Sequence, residues 1–451
     1  MLDFKAPARF DLDRAAGHLA EAIRFKTVSY PDTEMTAFTQ YADFLQFLVR
    51  SYPGLHQVCE KTMVNNYSPV FKWKGSNSSA KPFLLLGHYD VVPALEDDGA
   101  WQVPPFAGVI KENNIWGRGA IDNKGQVIAM LEALEFLTEN GFQPERDIYI
   151  ALGFDEEVGG SLGAVKTAAY FKENNLEFEF IIDEGGCIVT DIMAGLKVPA
   201  ALIGVAEKAT ANFKISVDGQ GGHSSMPPAN TAIGTLAKVI ANLENRPMPA
   251  RLTMPVREML KKMAPHMDSN RLVLKNIDKL FAAVSSVLSK NPTTNALIRT
   301  TIAATMAGGG YAPNVLPPEA WVIVNARLLQ GDTIDGVMDH IRQVNQGIDF
   351  TLEKLMGVDP GQITPVDSAV YQTLEKILGE MYPGVLILPY LMAGATDSRN
   401  YAAVSENIYR FAAMVLDQEV YATIHSENER LSFDNLWGMM EFYYKLLTAG
   451  I

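Results

Sequence analysis

The sequence predicts an α/β protein with a mostly parallel sheet, into which a smaller α+β domain is inserted. Apolar segments at residues 83–87, 148–154 and 178–182 have the composition of buried strands, and helical patterns alternate with them. Between about residues 206 and 359, apolar residues instead alternate with polar ones, which is typical of an antiparallel sheet with one solvent-exposed face. The α/β pattern returns after Pro360, so we expect the inserted domain to split the first one.

Size and charge limit the possible classes of protein. A chain of 451 residues predicts two or three domains, and 48% hydrophobic with 20% charged residues is ordinary for a globular protein. The formal net charge of −14 leaves no basic surplus for nucleic-acid phosphates or an anionic membrane, so we expect small-molecule partners. Cys59 and Cys187 are the only cysteines, so no disulfide framework is indicated. Without a signal peptide or long apolar run, we expect a cytoplasmic protein, although a processed exported form would have the same sequence features.

The first part of the chain alternates between helical and strand patterns. Residues 11–25 have apolar positions at helical spacing behind a capping residue, Asp11. Residues 41–48 and 127–137 also predict helices, whereas residues 100–114 are expected to form a loop. The glycine-rich stretch at residues 117–125 indicates a close approach of the backbone to another group.

The inserted part predicts a β-α-β-β-α-β unit with helices on one face of the sheet. Its strands are expected at residues 211–217, 296–307, 321–328 and 349–355, and its helices at 233–243 and 333–346. Residues 251–290 form an extra helical insertion whose apolar residues can serve as core, lid packing or an oligomer surface, with core favoured. We therefore predict a catalytic domain at residues 1–205 and 360–451 and a lid domain at 206–359. In the final part, Ser432 is expected to cap the last helix.

Histidines and carboxylates follow several predicted strands. His88 and Asp90 end the first, and residues two apart share one face of a strand, so Asp90 can fix the tautomer of His88 while the other ring nitrogen binds a metal. The carboxyl ends of parallel strands meet at one sheet edge. The candidates for a cluster at that edge are His88, Asp122, Glu156, Glu157, Asp183 and His425.

This set of nitrogen and oxygen donors suits zinc, with cobalt or manganese as substitutes. Six residues are too many for one tetrahedral ion, whereas two ions about 3.5 to 4 Å apart would use five ligands and leave one carboxylate as a base. Glu156 and Glu157 are neighbours that point in opposite directions in an extended chain, so one would be a ligand and the other the base. Acidic residues at strand ends also serve as helix caps, but their recurrence after several strands favours a shared site.

In combination, these motifs resemble the dinuclear zinc aminoacylase/carboxypeptidase metallopeptidases, over nearly the whole chain. The matching motifs are His88-x-Asp90, Gly117-Arg118-Gly119 with Asp122 and Lys124-Gly125, Asp155-Glu156-Glu157 with Gly159-Gly160, Asp183-Glu184-Gly185, Gly222-His223-Ser224 and the late His425. Residues 264–267, 314–318, 407–411 and 425–430 are similar to the carboxypeptidase S-like branch, which includes N-fatty-acyl-amino-acid synthase/hydrolases.

The resemblance implies a ligand set and a catalytic group. His88 and Asp183 would hold one zinc ion, Glu157 and His425 would hold the other, and Asp122 would bridge the two. Asp90 would orient His88. Glu156 would be the general base that deprotonates the attacking water.

The resemblance also implies residues for the substrate. His223, on the lid domain, would hydrogen-bond the oxyanion when the domains close. Asn314, Arg327 and Gly394 would contact the substrate, with Arg327 pairing its free carboxylate, although a strand-end arginine can also simply meet solvent. Ala395 departs from the branch, which has Asn there, and Asn123 stands where the branch more often has Asp.

We therefore expect a metal-dependent hydrolase that cleaves an amide bond to an amino acid with a free carboxylate, as a carboxypeptidase or dipeptidase does. Hydrolysis of N-acyl amino acids is the same reaction with another acyl group and is the alternative. A non-catalytic binding protein on the same fold is disfavoured because all the expected ligands and Glu156 are present. A homodimer formed through the lid domain is a further possibility that the resemblance raises.

Overall fold

A large, mainly parallel sheet forms the centre of the split domain. The computed structural model describes residues 10–96, 99–190, 195–267 and 269–450. The strands before the lid domain are β1 (Cys59–Val64), β2 (Ser68–Trp73), β3 (Phe83–His88), β4 (Val109–Lys111), β5 (Asn114–Trp116), β6 (Ile148–Gly153), β7 (Ile181–Asp183), β8 (Ile188–Val189) and β9 (Ala200–Glu207). The helices are α1 (Leu12–Arg24), α2 (Phe38–Ser51), α3 (Pro53–Val58), α4 (Lys124–Glu139) and α5 (Ala164–Glu173).

The inserted part and the return to the first domain follow in the same order as the sequence predicts. The strands are β10 (Ala209–Asp218), β11 (Gly222–His223), β12 (Thr301–Gly308), β13 (Val315–Leu316), β14 (Glu319–Leu328), β15 (Thr351–Gly357), β16 (Leu386–Met392), β17 (Ile408–Arg410), β18 (Val415–Leu416) and β19 (Arg430–Ser432). The helices are α6 (Ala232–Asn245), α7 (Met254–Met263), α8 (Arg271–Lys275), α9 (Ile277–Leu288), α10 (Pro292–Ile298), α11 (Ile334–Val344), α12 (Ala369–Met381), α13 (Gln418–Tyr421) and α14 (Phe433–Thr448).

The order of the strands in the large sheet is β1-β2-β6-β3-β7-β17-β9-β8-β18, with β16 paired to β9. Strand β3 is parallel to both β6 and β7, and β17 is parallel to β7. The side chains of β3 are buried throughout, because helices cover both faces of the sheet at its centre. The predicted α/β fold with a mainly parallel sheet is confirmed, and the carboxyl ends of three adjacent strands meet at one edge.

Local signals account for the helix boundaries. The Asp11 carboxylate accepts a hydrogen bond from the Arg14 N–H at 2.9 Å and so starts α1, and the Ser432 hydroxyl caps α14 in the same way by accepting from the Asn435 N–H.

One expected strand, residues 296–307, is wrong in its first part, which is α10. Asn291 caps this helix and Pro292 occupies its first turn, a pair that favours a helix start over a strand.

Strand β4 lies within residues 100–114, where the sequence predicts a loop, and it belongs to a small three-stranded sheet, β19-β5-β4. Glu112 and Asn113 both have positive φ (53° and 55°), as a two-residue type I′ hairpin requires between β4 and β5. Strand β19 pairs with β5, with Arg430 opposite Trp116. This sheet joins the segment that precedes Asp122 to the segment that follows His425.

The lid domain has its own sheet and its own core. The antiparallel order is β12-β14-β10-β15, and the residues of β10 and β14 alternate between buried and partly exposed, as the sequence predicts. Phe213, Ile215 and Val324 pack with residues of α6 and α11 in a core that is separate from that of the large sheet. The predicted antiparallel sheet with helices on one face is confirmed.

Helices α7 to α9 form the helical insertion at residues 251–290, and α10 follows it. All four helices pack on the catalytic domain although they lie within residues 206–359. Met259, Met263 and Leu297 share a core with Leu202 of β9 and Leu388 of β16. The apolar residues of the insertion are therefore core, which was the favoured alternative. In the part of the chain that the structure describes, no helix has both the length and the apolar composition needed to cross a membrane.

Because the large sheet and the lid domain have separate cores, we expect the two domains to open with different free energies. Ile215→Ala removes buried methyl groups from the lid core and should destabilise that domain by about 2 to 5 kcal/mol. Hydrogen–deuterium exchange should then accelerate for the amides of β10 and β14 but not for those of β3 and β6. The matched variant Leu85→Ala, in the core of the large sheet, should give the reverse pattern. Equal acceleration in both domains after either substitution would mean that the two cores unfold as one.

Candidate metal centre

The histidines and carboxylates converge at the carboxyl edge of the large sheet. His88 ends β3, while Glu157 and Glu184 follow β6 and β7, the strands on either side of β3. Asp122 lies just before α4, and His425 lies between α13 and β19 with a positive φ of 59°. A left-handed conformation is uncommon for histidine, so the surrounding loop must hold it there.

These side chains form two three-residue groups that share one carboxylate. In the first group, His88 Nε2 lies 3.1 Å from Asp122 Oδ1 and 3.1 Å from Glu184 Oε1. In the second, His425 Nε2 lies 3.0 Å from Asp122 Oδ2 and 3.1 Å from Glu157 Oε2. Asp122 therefore directs one oxygen into each group, and the donor atoms of each group all lie within 4.8 Å of one another.

Glu184, not Asp183, occupies the position beside His88. Asp183 is the last residue of β7, and its carboxylate faces away, where it accepts a hydrogen bond from the Ser398 N–H at 2.9 Å. Successive side chains in a strand point to opposite faces, so the next residue along is the one that faces His88. The resemblance led us to expect Asp183 in this group, but the structure brings Glu184 to that position instead.

Asp90 is fully buried and contacts both sides of the cluster. Its Oδ1 lies 3.2 Å from His88 Nδ1, which leaves Nε2 directed at the first group. Its two carboxylate oxygens also accept hydrogen bonds from the backbone N–H groups of Glu156 and Glu157, at 3.1 and 3.2 Å. One side chain thus orients the imidazole and fixes the turn that carries both glutamates.

Glu156 lines the same cavity but belongs to neither group. Among the described residues, none forms a hydrogen bond or an ion pair with its carboxylate. Burial raises the pKa of Glu156 well above its usual value; the positive charge of His88 opposes this shift, and the carboxylates of Asp397, Glu184 and Glu157 add to it. The carboxylate is therefore available to a bound molecule.

The donors and their charges fit divalent cations. Burial raises the pKa of Glu184 to about 8, and it also raises the pKa of Glu157, because several carboxylates crowd one buried site. Hydrogen bonds with Asp122 and then Glu157 raise the pKa of His425 to about 10. Glu157 Oε1 is buried without a hydrogen-bond partner among the described residues. Cations bound between these groups would neutralise the excess negative charge and satisfy that oxygen.

Glu429 holds the loop of Asp122 in place. Its buried carboxylate accepts hydrogen bonds from the backbone N–H groups of Gly119, Ile121 and Asp122, at 3.1, 2.8 and 3.1 Å, and from Arg118 Nη1 at 2.7 Å. We gave Glu429 no role from the sequence, where the only signal is its place in the motif four residues after His425.

The glycine-rich stretch allows the close approach that the sequence predicts. Gly119 has a φ of +88°, and a Cβ at Gly125 would lie 2.1 Å from the backbone oxygen of Ala120. Asn123 follows Asp122 through a cis peptide bond. Its amide donates a hydrogen bond to Glu184 Oε2 at 3.0 Å, so an amide at this position orients a residue of the first group.

The residues expected to contact substrate lie at different places. Gly394 lines the cavity of the cluster, which has a volume of about 290 Å³. His223 and Asn314 belong to the lid domain and are exposed, and neither is among the described residues that line this cavity. His223 Nδ1 accepts a hydrogen bond from the Ser225 N–H at 3.1 Å. Arg327 donates to Thr210 Oγ1 at 2.8 Å, and burial together with nearby Arg399 lowers its pKa.

Arg399 itself belongs to the turn that follows Gly394, and it was not singled out from the sequence. It donates a hydrogen bond to the Gly159 carbonyl at 3.1 Å. Glu207, at the end of β9, fixes the same turn by accepting hydrogen bonds from the Thr396 N–H and hydroxyl, at 2.9 and 2.8 Å. The turn is therefore anchored to the point where the chain enters the lid domain.

The fold and the paired histidine–carboxylate groups define a hydrolase of the metallopeptidase class. The model of peptidase family M20/M25/M40 matches residues 84–449, and the chain belongs to that family. The expected resemblance to this family is thereby confirmed, and its carboxypeptidase S-like branch is confirmed by the relatives described next.

Individual relatives agree with this assignment. "Probable carboxypeptidase S-like 2" of Dictyostelium discoideum is 38% identical over 440 residues, which cover 96% of this chain and 84% of that protein. "N-fatty-acyl-amino acid synthase/hydrolase PM20D1.1" of Danio rerio is 37% identical over 432 residues, covering 94% and 84%. The crystal structure of the M20 family metallo-carboxypeptidase Sso-CP2 from Sulfolobus solfataricus has the same fold, with a TM-score of 0.69 at 20% identity, covering 96% of this chain and 98% of that one.

The choice between Glu184 and Asp183 can be tested with two matched variants. Glu184→Gln removes a charged donor from the first group and should weaken zinc binding by about tenfold or more. Asp183→Asn keeps the hydrogen bond from Ser398 through its amide oxygen and should leave zinc binding unchanged. Competition with a chromophoric chelator and elemental analysis measure both. Weaker binding in Asp183→Asn with unchanged binding in Glu184→Gln would contradict this assignment.

Proposed function

We propose that the protein is a dinuclear metal-dependent amidohydrolase that releases an amino acid with a free carboxylate from a peptide or an N-acyl conjugate. The observation that carries this proposal is the division of the Asp122 carboxylate between two groups, each with one histidine and one glutamate. Such an arrangement supports two ions bridged by one carboxylate.

His88, Asp122 and Glu184 would hold one ion, and Asp122, Glu157 and His425 would hold the other. Nitrogen and carboxylate donors favour zinc, with cobalt or manganese as substitutes. The bound ions would supply Lewis acidity to the scissile carbonyl and to the attacking water.

Glu156 is the proposed general base. Its carboxylate lines the cavity, belongs to neither group and has no partner among the described residues. It would accept a proton from the attacking water and deliver that proton to the nitrogen of the leaving amine, so that it ends the cycle as it began. Asp90 supports this role because it anchors the backbone of Glu156 while it orients His88.

A cationic region next to the cavity is suited to the free carboxylate of the substrate. Burial lowers the pKa of Arg327, and the positive charge of nearby Arg399 lowers it further. Lys208 is also near Arg327. Among the described residues, no carboxylate forms an ion pair with either arginine. An incoming carboxylate would relieve this repulsion, and a guanidinium pairs with it well.

The lid must move, or a second copy must contribute, for the remaining expected residues to act. His223 and Asn314 are exposed and absent from the cavity wall. Closure of the lid onto the sheet edge would bring a hydrogen-bond donor to the developing oxyanion. A homodimer that forms through the lid domain would provide the same group from the second subunit.

Both substrate types remain within this proposal. One relative is named as a probable carboxypeptidase S-like protein and another as an N-fatty-acyl-amino acid synthase/hydrolase. Peptides and N-acyl amino acids have the same scissile amide and the same free carboxylate, so one site can serve both.

Substitution of the base tests the proposal. Glu156→Gln keeps the shape of the side chain but cannot accept a proton, so kcat for N-acetyl-phenylalanine or glycyl-phenylalanine should fall by about 10² to 10⁴-fold. Zinc content should not change. Glu427→Gln, an exposed carboxylate in the loop of His425, is the matched control and should retain full activity. Full turnover in Glu156→Gln would reassign the base, and loss of zinc would instead make Glu156 a ligand.

A further inference from the structure

The wall of the cluster cavity offers few hydrogen-bond donors to a bound molecule. Three of its neutral polar side chains, those of Asn123, Gln126 and Thr396, already donate to protein atoms at distances between 2.7 and 3.0 Å. The remaining hydroxyl groups of the wall are the phenols of Tyr390 and Tyr421. Within the part of the chain that the structure describes, neither phenol hydroxyl has a hydrogen-bond partner. These two hydroxyls are therefore available to a substrate.

Tyr421 is the phenol that lies close enough to a metal-ligand candidate to interact with its charge. Burial raises the pKa of Tyr421, and the charges of Cys187 and Asp122 raise it further. Burial also raises the pKa of Tyr390 to about 12, with smaller contributions from Tyr421 and Cys187, neither of which belongs to the two groups of metal-ligand candidates. The Tyr421 hydroxyl thus lies near the carboxylate that both groups share, and it keeps its proton at neutral pH.

The backbone holds Tyr421 at a fixed place relative to His425. Tyr421 is the last residue of α13, and His425 follows it by four residues. The Asp417 carboxylate starts this helix by accepting a hydrogen bond from the Val420 N–H at 2.8 Å. The Tyr421 carbonyl then accepts from the Ile424 N–H at 3.3 Å, so that the turn continues as far as the histidine. One short segment therefore positions both the phenol and the second histidine of the cluster.

A substrate can reach Tyr421 without a movement of the lid domain. The residue lines the cluster cavity and is nevertheless 53% exposed. His223, the donor that the family resemblance implies, is not on the cavity wall and must be brought there by closure or by a second copy. Tyr421 belongs to the catalytic domain and already lies beside the cluster. It can therefore act as a donor in the arrangement that the structure shows.

We propose that Tyr421 is a catalytic residue whose hydroxyl donates a hydrogen bond to the oxyanion that develops from the scissile carbonyl. This inference rests on the proposed amidohydrolase function. A donor directed at the oxyanion stabilises the transition state more than the planar substrate, and so it raises kcat. The phenol keeps its proton throughout, and the proton of the attacking water still passes to Glu156. The competing role for this hydroxyl is a contact that is equally strong in the bound substrate.

The first experiment measures the hydrolysis of N-acetyl-phenylalanine by the zinc-loaded enzyme. Tyr421→Phe keeps the ring and removes the donor, so kcat should fall by about 10²-fold, the usual cost of one oxyanion donor, with KM within about threefold of wild type. Tyr390→Phe removes the other free hydroxyl of the wall and is the matched control, with kcat and KM within about twofold of wild type. Zinc content and Tm should not change in either variant.

Binding measured by calorimetry supplies a readout that does not depend on turnover. The first probe is a phosphinate in which a PO₂⁻–CH₂ unit replaces the amide of N-acetyl-phenylalanine, so that it carries tetrahedral, negatively charged oxygens. The second probe, N-acetyl-D-phenylalanine, has a planar carbonyl. Tyr421→Phe should weaken binding of the phosphinate by about tenfold or more and leave binding of the planar amide within about twofold of wild type.

The outcomes separate this proposal from the proposed function. A loss that is selective for the phosphinate supports the donor role even when the wild-type protein hydrolyses no amide, in which case only the amidohydrolase proposal fails. An equal loss for both probes means a contact made in the ground state and overturns the proposal. Unchanged kcat in Tyr421→Phe also overturns it, as does a phosphinate-selective loss in Tyr390→Phe alone or a wild-type protein that does not bind the phosphinate.

Discussion

The arrangement of the site depends on the hydrogen bonds that the Glu429 carboxylate accepts from the loop of Asp122. Four donors, three of them backbone N–H groups, converge on a side chain that is completely buried. Charge-assisted bonds of this kind are strong, and their removal would leave a buried charge or several unpaired amides. Since Glu429 follows His425 by four residues, the same interaction fixes the distance between the shared carboxylate and the second histidine.

Negative charge is concentrated around this point, and the protein stabilises it with oriented dipoles. Asp90 accepts from the backbone of both glutamates, and Asn123 donates to Glu184. Burial alone would raise the pKa of Asp122, but hydrogen bonds with His425 and His88 lower it, so this carboxylate is kept ionised. These hydrogen bonds fix the side chains of the site in position, as a centre that orients substrate and water requires.

The sequence predicts the large features well because they depend on periodicity and on strand ends. His88 ends one buried strand and Glu157 follows the next, so these residues lie at one edge of the sheet whatever the details of the loops. It does not predict the choice between Asp183 and Glu184, because the exact end of β7 decides which side chain faces the site and strand ends are uncertain by a residue or two. The sequence also does not predict that α7 to α10 pack on β9 and β16. A helical pattern shows that one face of a helix is buried, but it does not show which element covers that face.

The central claim is that Asp122 is shared by two metal ions, with Glu184 as a ligand of the first. Anomalous diffraction from crystals grown with zinc tests this claim most directly. The expected result is two peaks per chain about 3.5 to 4 Å apart, one beside His88 and Glu184, the other beside Glu157 and His425, with Asp122 in contact with both. A single peak, or a zinc ion bound by Asp183 in place of Glu184, would contradict it.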